Sequence, residues 1–594
     1  MLLFFLQAKH LLLGLAAHCA AVFPFALPGQ AQLPGNFALP LELAQNDSPP
    51  PSALSPLQEN LAWLIEDGPA ARFGFTGLHG QPEQADQLLL SLYMDNGMKP
   101  FWVAEHGVQA RAGELLAVLD RTEEDGLDPA RYRPAAIAAL LPARDAESLA
   151  RLDVMLTLAL NAYITDMRKG WAASTRLDTR LLAAVRDSDS ETDVAEVVRE
   201  GLRRSDLADF LARQAPQHRA YQTLKKLLAQ YRRLEAAGGW PQIPPGGKLE
   251  PGVADHRLEL LARRLLITGD LAALPVSLTA APGQPPPVYE GELVQAVKRF
   301  QLRYNLKQDG IVGKITLNAL NIPVRDHISK IRLNLERWRW LPHQLGGRRI
   351  LVNIAGFTLT SMNNEETELL MPVIVGEIYN KTPVFSHAMT YIEVNPYWTV
   401  PPSIVRKEIV PKMRKDPGYL SRQRIRIFAG WHEGAPEIAP SSINWRTVGS
   451  AITRYRLRQD PGPGNALGRI KFMFPNSKNI YMHDTPGQEL FHRTRRTFSH
   501  GCIRLSRPLE LAWHILQEDG QRMTKEGLRK AVASKKQQVL VLNTPLPVHI
   551  LYLTALEAED GSAHFYDDIY GYDSQLAEAL LIDSPASRSA YSYQ

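Results

Sequence analysis

Apolar residues recur every three to five positions through the first half of the chain and fall into short alternating runs through the second. Leu115, Leu116 and Leu119, then Leu152, Leu156, Leu160 and Tyr163, then Val197, Leu202, Leu207 and Leu211 are separated by Arg, Asp and Glu. That period predicts amphipathic helices with stripes facing a shared core, so 57–280 is read as an α-helical scaffold without chemistry of its own. Pro241 to Gly247 and Pro282 to Pro287 break the period and mark boundaries. After Trp340 the texture changes. Arg349 to Ile354, Phe357 to Ser361, Leu369 to Val375, Met389 to Val394, Ile470 to Phe474 and Ile480 to His483 are short β-branched and aromatic runs broken by Gly, Pro and Asn. They predict a mainly β domain over 345–546, followed by a C-terminal extension, 547–594, frayed beyond Asp583. Ser403 to Arg426 reads as helical and basic, so a helical lid inserted at about 401–468 is expected. The fold class is multidomain α+β.

Between these halves, 288–324 forms a compact unit. Val294, Val297, Phe300 and Tyr304 share a helix face, Asp309 and Gly310 make a turn, and Thr316, Leu317 and Leu320 open a second helix after Gly313. The AVKRFQ, DGIVG and TLNALN segments are similar to the type 1 peptidoglycan-binding domain family, and the resemblance spans the whole unit.

The 594 residues are 45% hydrophobic and 22% charged, which excludes both a disordered chain and a multi-span membrane protein and calls for several cores. A net charge of +5 over that length is too dilute to indicate a nucleic-acid partner. Met1 to Leu27 is almost wholly apolar with Lys9 inside it, the size of a signal-peptide core. Residues 1–31 are read as an export signal cleaved after Ala31, or an inner-membrane anchor if uncleaved, and 32–56 as a linker. The location expected is periplasmic. Of the two cysteines, Cys19 falls in that signal, which leaves Cys502 as the sole mature thiol. A single thiol forms no disulfide within the chain, so its neighbours decide its role.

Cys502 sits in SHGCIRL, Ser499 to Leu505, 19 residues after His483 in YMHDTP. A free thiol of pKa ~8.5 is scarcely ionised at neutral pH, and an imidazole within hydrogen-bond reach is its usual activator. Gly501 leaves the backbone free to aim N–H groups at a developing oxyanion. Ser506 is a plausible cap for a helix begun by Pro508.

His483, the loop that follows it, and Ser499-His500-Gly501-Cys502-Ile503-Arg504 resemble the catalytic domain of the L,D-transpeptidases (YkuD type). NPYWTVPPSI, the GPGNALG loop at Gly462 to Gly468 and the helical scaffold with its peptidoglycan-binding module are similar to that family's large YcbB-type branch. The resemblance implies that Cys502 is the nucleophile toward the diaminopimelate carbonyl of a donor tetrapeptide, releasing D-Ala. It implies His483 as base, His500 and Gly501 as oxyanion region with the Cys502 backbone, and Arg504 as organiser of substrate or loop. The amine of an acceptor stem would then open the acyl-enzyme, giving a 3→3 cross-link in peptidoglycan. It also implies acylation by carbapenems, penicillin-binding proteins as candidate partners, and no metal or organic cofactor. Smaller members carry Gly or Ser after the base histidine. Here Asp484 stands there, so either its carboxylate or a backbone carbonyl must orient His483.

Ser499, Tyr481, Trp398, Asn476 and Asp484 join Arg504 as candidate substrate-binding residues, with Phe474 assigned to the core. A zinc site from His483, His492, His500 and Cys502 lacks the tight ligand pairs that structural zinc uses. An L,D-carboxypeptidase with the same thiol, or a non-catalytic wall-binding protein, are the other readings.

Overall fold

The computed structural model describes residues 54–75, 82–105, 107–171, 193–275, 285–558 and 560–585. The signal, most of the linker and Cys19 lie outside them. The first described helix, Pro56–Glu66, starts inside the expected linker, capped by a reciprocal pair of bonds between Ser55 and Gln58. Among the described residues no helix is long and apolar enough to cross a membrane.

The scaffold is helical, as its period predicts, but its central element is not one-sided. Leu152, Leu156, Leu160 and Tyr163 are buried in the helix Ala146–Lys169, and so is every other residue from Leu152 to Met167, Asp153 and Asp166 among them. Asp153 accepts the N–H groups of Phe101, Trp102 and Val103 at 3.1, 2.7 and 3.1 Å, which satisfies backbone donors that burial would otherwise strand. Asp166 pairs with Arg131 at 2.6 Å. Helices surround this element, so a stripe pattern understates its burial. In the helix Val194–Arg203 the core position is Val198, while Val197 and Leu116 are only half-buried.

The small module forms as read. Its helices are Gly291–Arg303 and Lys314–Leu320, with Val294, Val297 and Phe300 buried. Gly310 turns the chain at φ +75°, and the Gln301 side chain stitches that turn through Gly310 N–H (2.8 Å) and Asp309 (3.0 Å).

The main sheet of the second half has nine strands among the described residues: β1 Arg348–Asn353, β2 Thr358–Asn363, β3 Glu366–Gly376, β4 Phe385–Val394, β5 Ile470–Met473, β6 Met482–His483, β7 Thr497–Ser499, β8 Ile503–Leu505 and β9 Gln538–Leu551. Their order is β7-β3-β8-β6-β5-β4-β9-β1-β2, and β2 also pairs with β3. Eight strands therefore close into a ring with β7 attached outside β3, which leaves few bare edges. Ile350, Val352, Met371, Val373, Ile392, Phe472, Phe474, Met482 and Ile503 fill its core. The ring does not stop at 546. β9 runs on to Leu551, and Tyr552, Tyr566, Ile569, Tyr570, Tyr572 and Leu576 of the expected extension pack into the same core. Ser506 caps nothing: the helix Pro508–Glu518 has no side-chain cap, and the Ser506 hydroxyl is without a partner.

The insertion is more than helical. Short helical turns over 402–422 pack on a separate four-stranded sheet, Trp398–Thr399, Arg456–Gln459, Ile425–Phe428 and Glu437–Ile438, around Val400, Ile409, Met413, Leu420, Ile427 and Leu457. At its root the buried Asn465 amide donates to the Pro396 and Asp460 carbonyls, both 3.1 Å, tying the entering chain to the leaving one.

Candidate active site

Parallel pairing of β6 with β8 sets His483 opposite Arg504 and Met482 opposite Ile503, and Ile503 N–H donates to the Tyr481 carbonyl at 3.1 Å. The strand carrying the imidazole thus lies beside the strand that begins one residue after Cys502. His483 is buried, and its Nδ1 is 2.5 Å from the Asp484 carbonyl oxygen. A carbonyl only accepts, so Nδ1 carries the proton and Nε2 keeps its lone pair. The question left open by the sequence therefore has a geometric answer: the backbone orients the imidazole. The Asp484 carboxylate turns the other way, accepting from Arg469 N–H at 2.8 Å and Thr485 N–H at 2.7 Å, and does not line the cleft.

Burial, reinforced by the Arg504 guanidinium, lowers the His483 pKa to about 3, so the ring is neutral at physiological pH. Burial also pushes the Cys502 thiol up, against the opposing pull of Tyr481, Lys471 and Arg504. Both groups are therefore neutral at rest, and Cys502 Sγ contacts the Asn479 carbonyl at 3.9 Å.

The turn before Cys502 is held from within. Ser499 Oγ donates to the Cys502 carbonyl at 2.5 Å and accepts from Gly501 N–H at 3.1 Å, so Ser499 shapes the loop. Gly501 has φ +115°, a conformation that side chains rarely adopt. His500 is exposed, and its Nε2 meets Glu408 Oε1 of the insertion at 2.7 Å.

Between insertion and ring lies a cleft of about 1060 Å³ in which Cys502, His483, His500, Ser499, Arg504, Tyr481, Trp398 and Asn476 all take part. Its volume is at the upper end for small-molecule sites and suits a peptide better than a single residue. Trp398 is half-buried against the insertion core and Phe474 is fully buried, as assigned. Asn476 stands at the rim, but its amide is occupied by its own loop, bonding the Phe474 and Ile480 carbonyls and the Lys478 and Ile480 N–H groups. Arg504 keeps a buried Nε without a partner.

Sequence reading missed Lys471, Glu408 and Lys478, which also line the cleft. Lys471 lies 4.5 Å over the Tyr481 ring and 3.6 Å from Glu393. Lys471 comes from β5, Lys478 from the turn between β5 and β6 and Glu408 from the insertion, and a lone Lys or Glu carries no motif. A pocket with three cations and one carboxylate favours a ligand bearing carboxylates.

A buried imidazole, a thiol and a glycine turn thus share one cleft, the residue types that acyl transfer through a cysteine calls for. Residues 347–532 match the family described as L,D-transpeptidase catalytic domain, 87–228 the scaffold domain and 271–320 the peptidoglycan binding domain. The chain thus carries an L,D-transpeptidase catalytic domain together with a peptidoglycan-binding domain. It is 34% identical over 247 residues to a Haemophilus influenzae protein named "Putative L,D-transpeptidase", covering 42% of this chain and 48% of that protein. The chain spans about half the length of that relative. An L,D-transpeptidase from Mycobacterium smegmatis aligns at 14% identity and TM-score 0.17, covering 34% of this chain and 58% of its own. One from Xylanimonas cellulosilytica aligns at 14% and 0.16, covering 52% and 99%. At such scores these two alignments carry no weight.

Proposed function

We propose that the protein forms 3→3 cross-links in peptidoglycan, with Cys502 as nucleophile and His483 as base. The observation that carries this reading is the Nδ1 bond from His483 to the Asp484 carbonyl, which leaves Nε2 as the basic nitrogen in the cleft that holds Cys502. The Cys502 sulfur adds to the diaminopimelate carbonyl of a tetrapeptide stem while its proton passes to His483 Nε2. Because burial disfavours both thiolate and imidazolium, proton transfer accompanies attack. The tetrahedral oxyanion collapses, the bond to D-Ala breaks, and the departing amine takes the proton from His483. The acceptor stem's side-chain amine then attacks the thioester, gives its proton to His483, and the thiol is restored.

Arg504, Lys471 and Lys478 suit the carboxylates of the stem, with Tyr481 and Trp398 as apolar walls. We read its location as periplasmic, a reading supported by the peptidoglycan-acting domains and by the apolar run Met1 to Leu27. The direct test is intact mass after mixing with disaccharide-tetrapeptide. A thioester adduct on the wild type that is absent from Cys502→Ala supports the reading, and an unchanged mass sinks it. Release of tripeptide alone would show that water is the acceptor, the carboxypeptidase reading.

A further inference from the structure

Four hydrogen bonds join the glycine turn to the C-terminal segment, and in each the donor is settled by chemistry. Thr382 Oγ accepts from Gly376 N–H at 2.9 Å, so its one proton goes to the Gly501 carbonyl at 2.8 Å. Tyr570 OH accepts from Thr382 N–H at 3.1 Å and donates to the Gly376 carbonyl at 2.6 Å. Thr382 is fully buried and Tyr570 nearly so. In such surroundings these bonds are strong, and losing one strands a polar group. Gly376 permits the closure: a Cβ there would fall 2.0 Å from the Asn380 carbonyl oxygen.

The segment behind Tyr570 is itself anchored. Tyr570 N–H donates to Tyr552 OH at 2.9 Å, which donates to Asp568 at 2.6 Å. Asp568 also accepts the N–H groups of Tyr572 and Asp573, both at 2.8 Å, and Asp573 pairs with Arg337 at 2.7 Å. Lys381 Nζ adds a bond to the Tyr570 carbonyl at 2.9 Å.

In a trans peptide the C=O and the next N–H share a plane and point in opposite directions. No peptide bond among the described residues is cis. Gripping the Gly501 carbonyl therefore sets the direction of the Cys502 N–H. That N–H donates to no group among the described residues. We propose that Thr382 and Tyr570 are positioning residues that aim the Cys502 N–H at the oxyanion formed during acylation, which makes the C-terminal segment a working part of the site. The proposal rests on the reading of Cys502 as the acylated thiol.

The test separates acyl transfer, which needs an oxyanion donor, from alkylation, which does not. Full-length wild type, Thr382→Val, Thr382→Ser and Tyr570→Phe are compared for acylation of Cys502 by p-nitrophenyl acetate and for alkylation by iodoacetamide. Deleting one oxyanion donor costs about 10²–10³ in rate, and misaiming one in Thr382→Val should slow acylation by roughly 10- to 100-fold. Alkylation should stay within about threefold of wild type, and Thr382→Ser should recover most of the acylation rate, since only a misaimed donor is restored by a hydroxyl alone. Both rates falling together, or neither changing, would overturn the proposal. Should Thr382→Val fail to fold by circular dichroism, Tyr570→Phe decides: the same selective loss, smaller, supports the brace, and an unchanged ratio overturns it. Because the ester contains no stem peptide, a wild type that acylates normally but never releases D-Ala would sink the transpeptidase reading and leave the brace standing.

Discussion

His500 Nε2 and Glu408 Oε1 are 2.7 Å apart, which ties the loop bearing Cys502 directly to the inserted subdomain. Both side chains are more than a third exposed, and such pairs contribute about 0–1 kcal/mol. The contact is therefore a weak latch across the cleft and not a stability device.

Glu408→Gln tests the latch. The expected outcome is a global stability within about 1 kcal/mol of wild type by urea unfolding. Amide hydrogen exchange over 402–415 should speed up, and KM for tetrapeptide should rise more than kcat falls. Unchanged exchange there would show that the insertion is held by its own packing.

The pH dependence follows from burial at the dyad. With His483 lowered to about 3, the base stays unprotonated from neutrality down to pH 5, so kcat/KM should show no acid limb near 6.5. The thiol is raised, so iodoacetamide alkylation of the free enzyme should climb only on the alkaline side, without a low-pH thiolate plateau. Alkylation already half-maximal near pH 6 would mean a resting ion pair and contradict the neutral dyad.

The same depressed histidines set the stability profile. His483, at about 3, and His549 and His564, at about 4, take protons in the unfolded chain well before they do in the folded one. As pH falls from about 6.5 towards 4 the unfolded state gains protons and the fold loses stability, with nothing contributed by these groups above neutrality. Thermal unfolding measured from pH 7.5 to 4.5 should show a falling Tm. Asp153 and Asp568, which burial raises to about 6, take protons first in the folded state and offset part of this loss, so a Tm that rises on acidification would contradict the buried, neutral assignment.

Asp484 separates two ways of holding the base. Its carboxylate satisfies Arg469 and Thr485 N–H groups while its carbonyl holds His483. Asp484→Ala should cost stability of about 1–3 kcal/mol by stranding buried donors, and Asp484→Asn less, because one oxygen remains. Neither should shift the pH profile of kcat/KM. A large kcat loss in a fully stable Asp484→Asn would show that the carboxylate orients the imidazole after all.

His483 and Cys502 stand out in the sequence as a candidate pair because they are local: 19 residues apart, His483 at the end of β6 and Cys502 just before β8, with a glycine between β7 and the thiol. The helical scaffold and the small module were legible from their apolar period. Glu408, Lys471, Thr382 and Tyr570 are not, because tertiary structure brings them to the site: Glu408 from the insertion, Lys471 from the neighbouring β5, and Thr382 and Tyr570 from segments far along the chain. Asn476 and Asp484 turn out to bond within their own loops, which the sequence does not show for a related reason. Sequence shows that an amide or carboxylate lies beside a motif, but not that its bonding capacity is filled by its own loop. The expected boundary at 546 falls inside β9, whose pairing with β4 shifts register between Val541 and Leu546, with Pro545 inside the shift, and resumes through Pro547 opposite Ala388.

The central claim is tested most directly by mass spectrometry of the products formed from purified disaccharide-tetrapeptide by wild type and by Cys502→Ala. The account predicts a tripeptide-tetrapeptide dimer and free D-Ala from the wild type alone. Dimer formation by Cys502→Ala at the wild-type rate would contradict it.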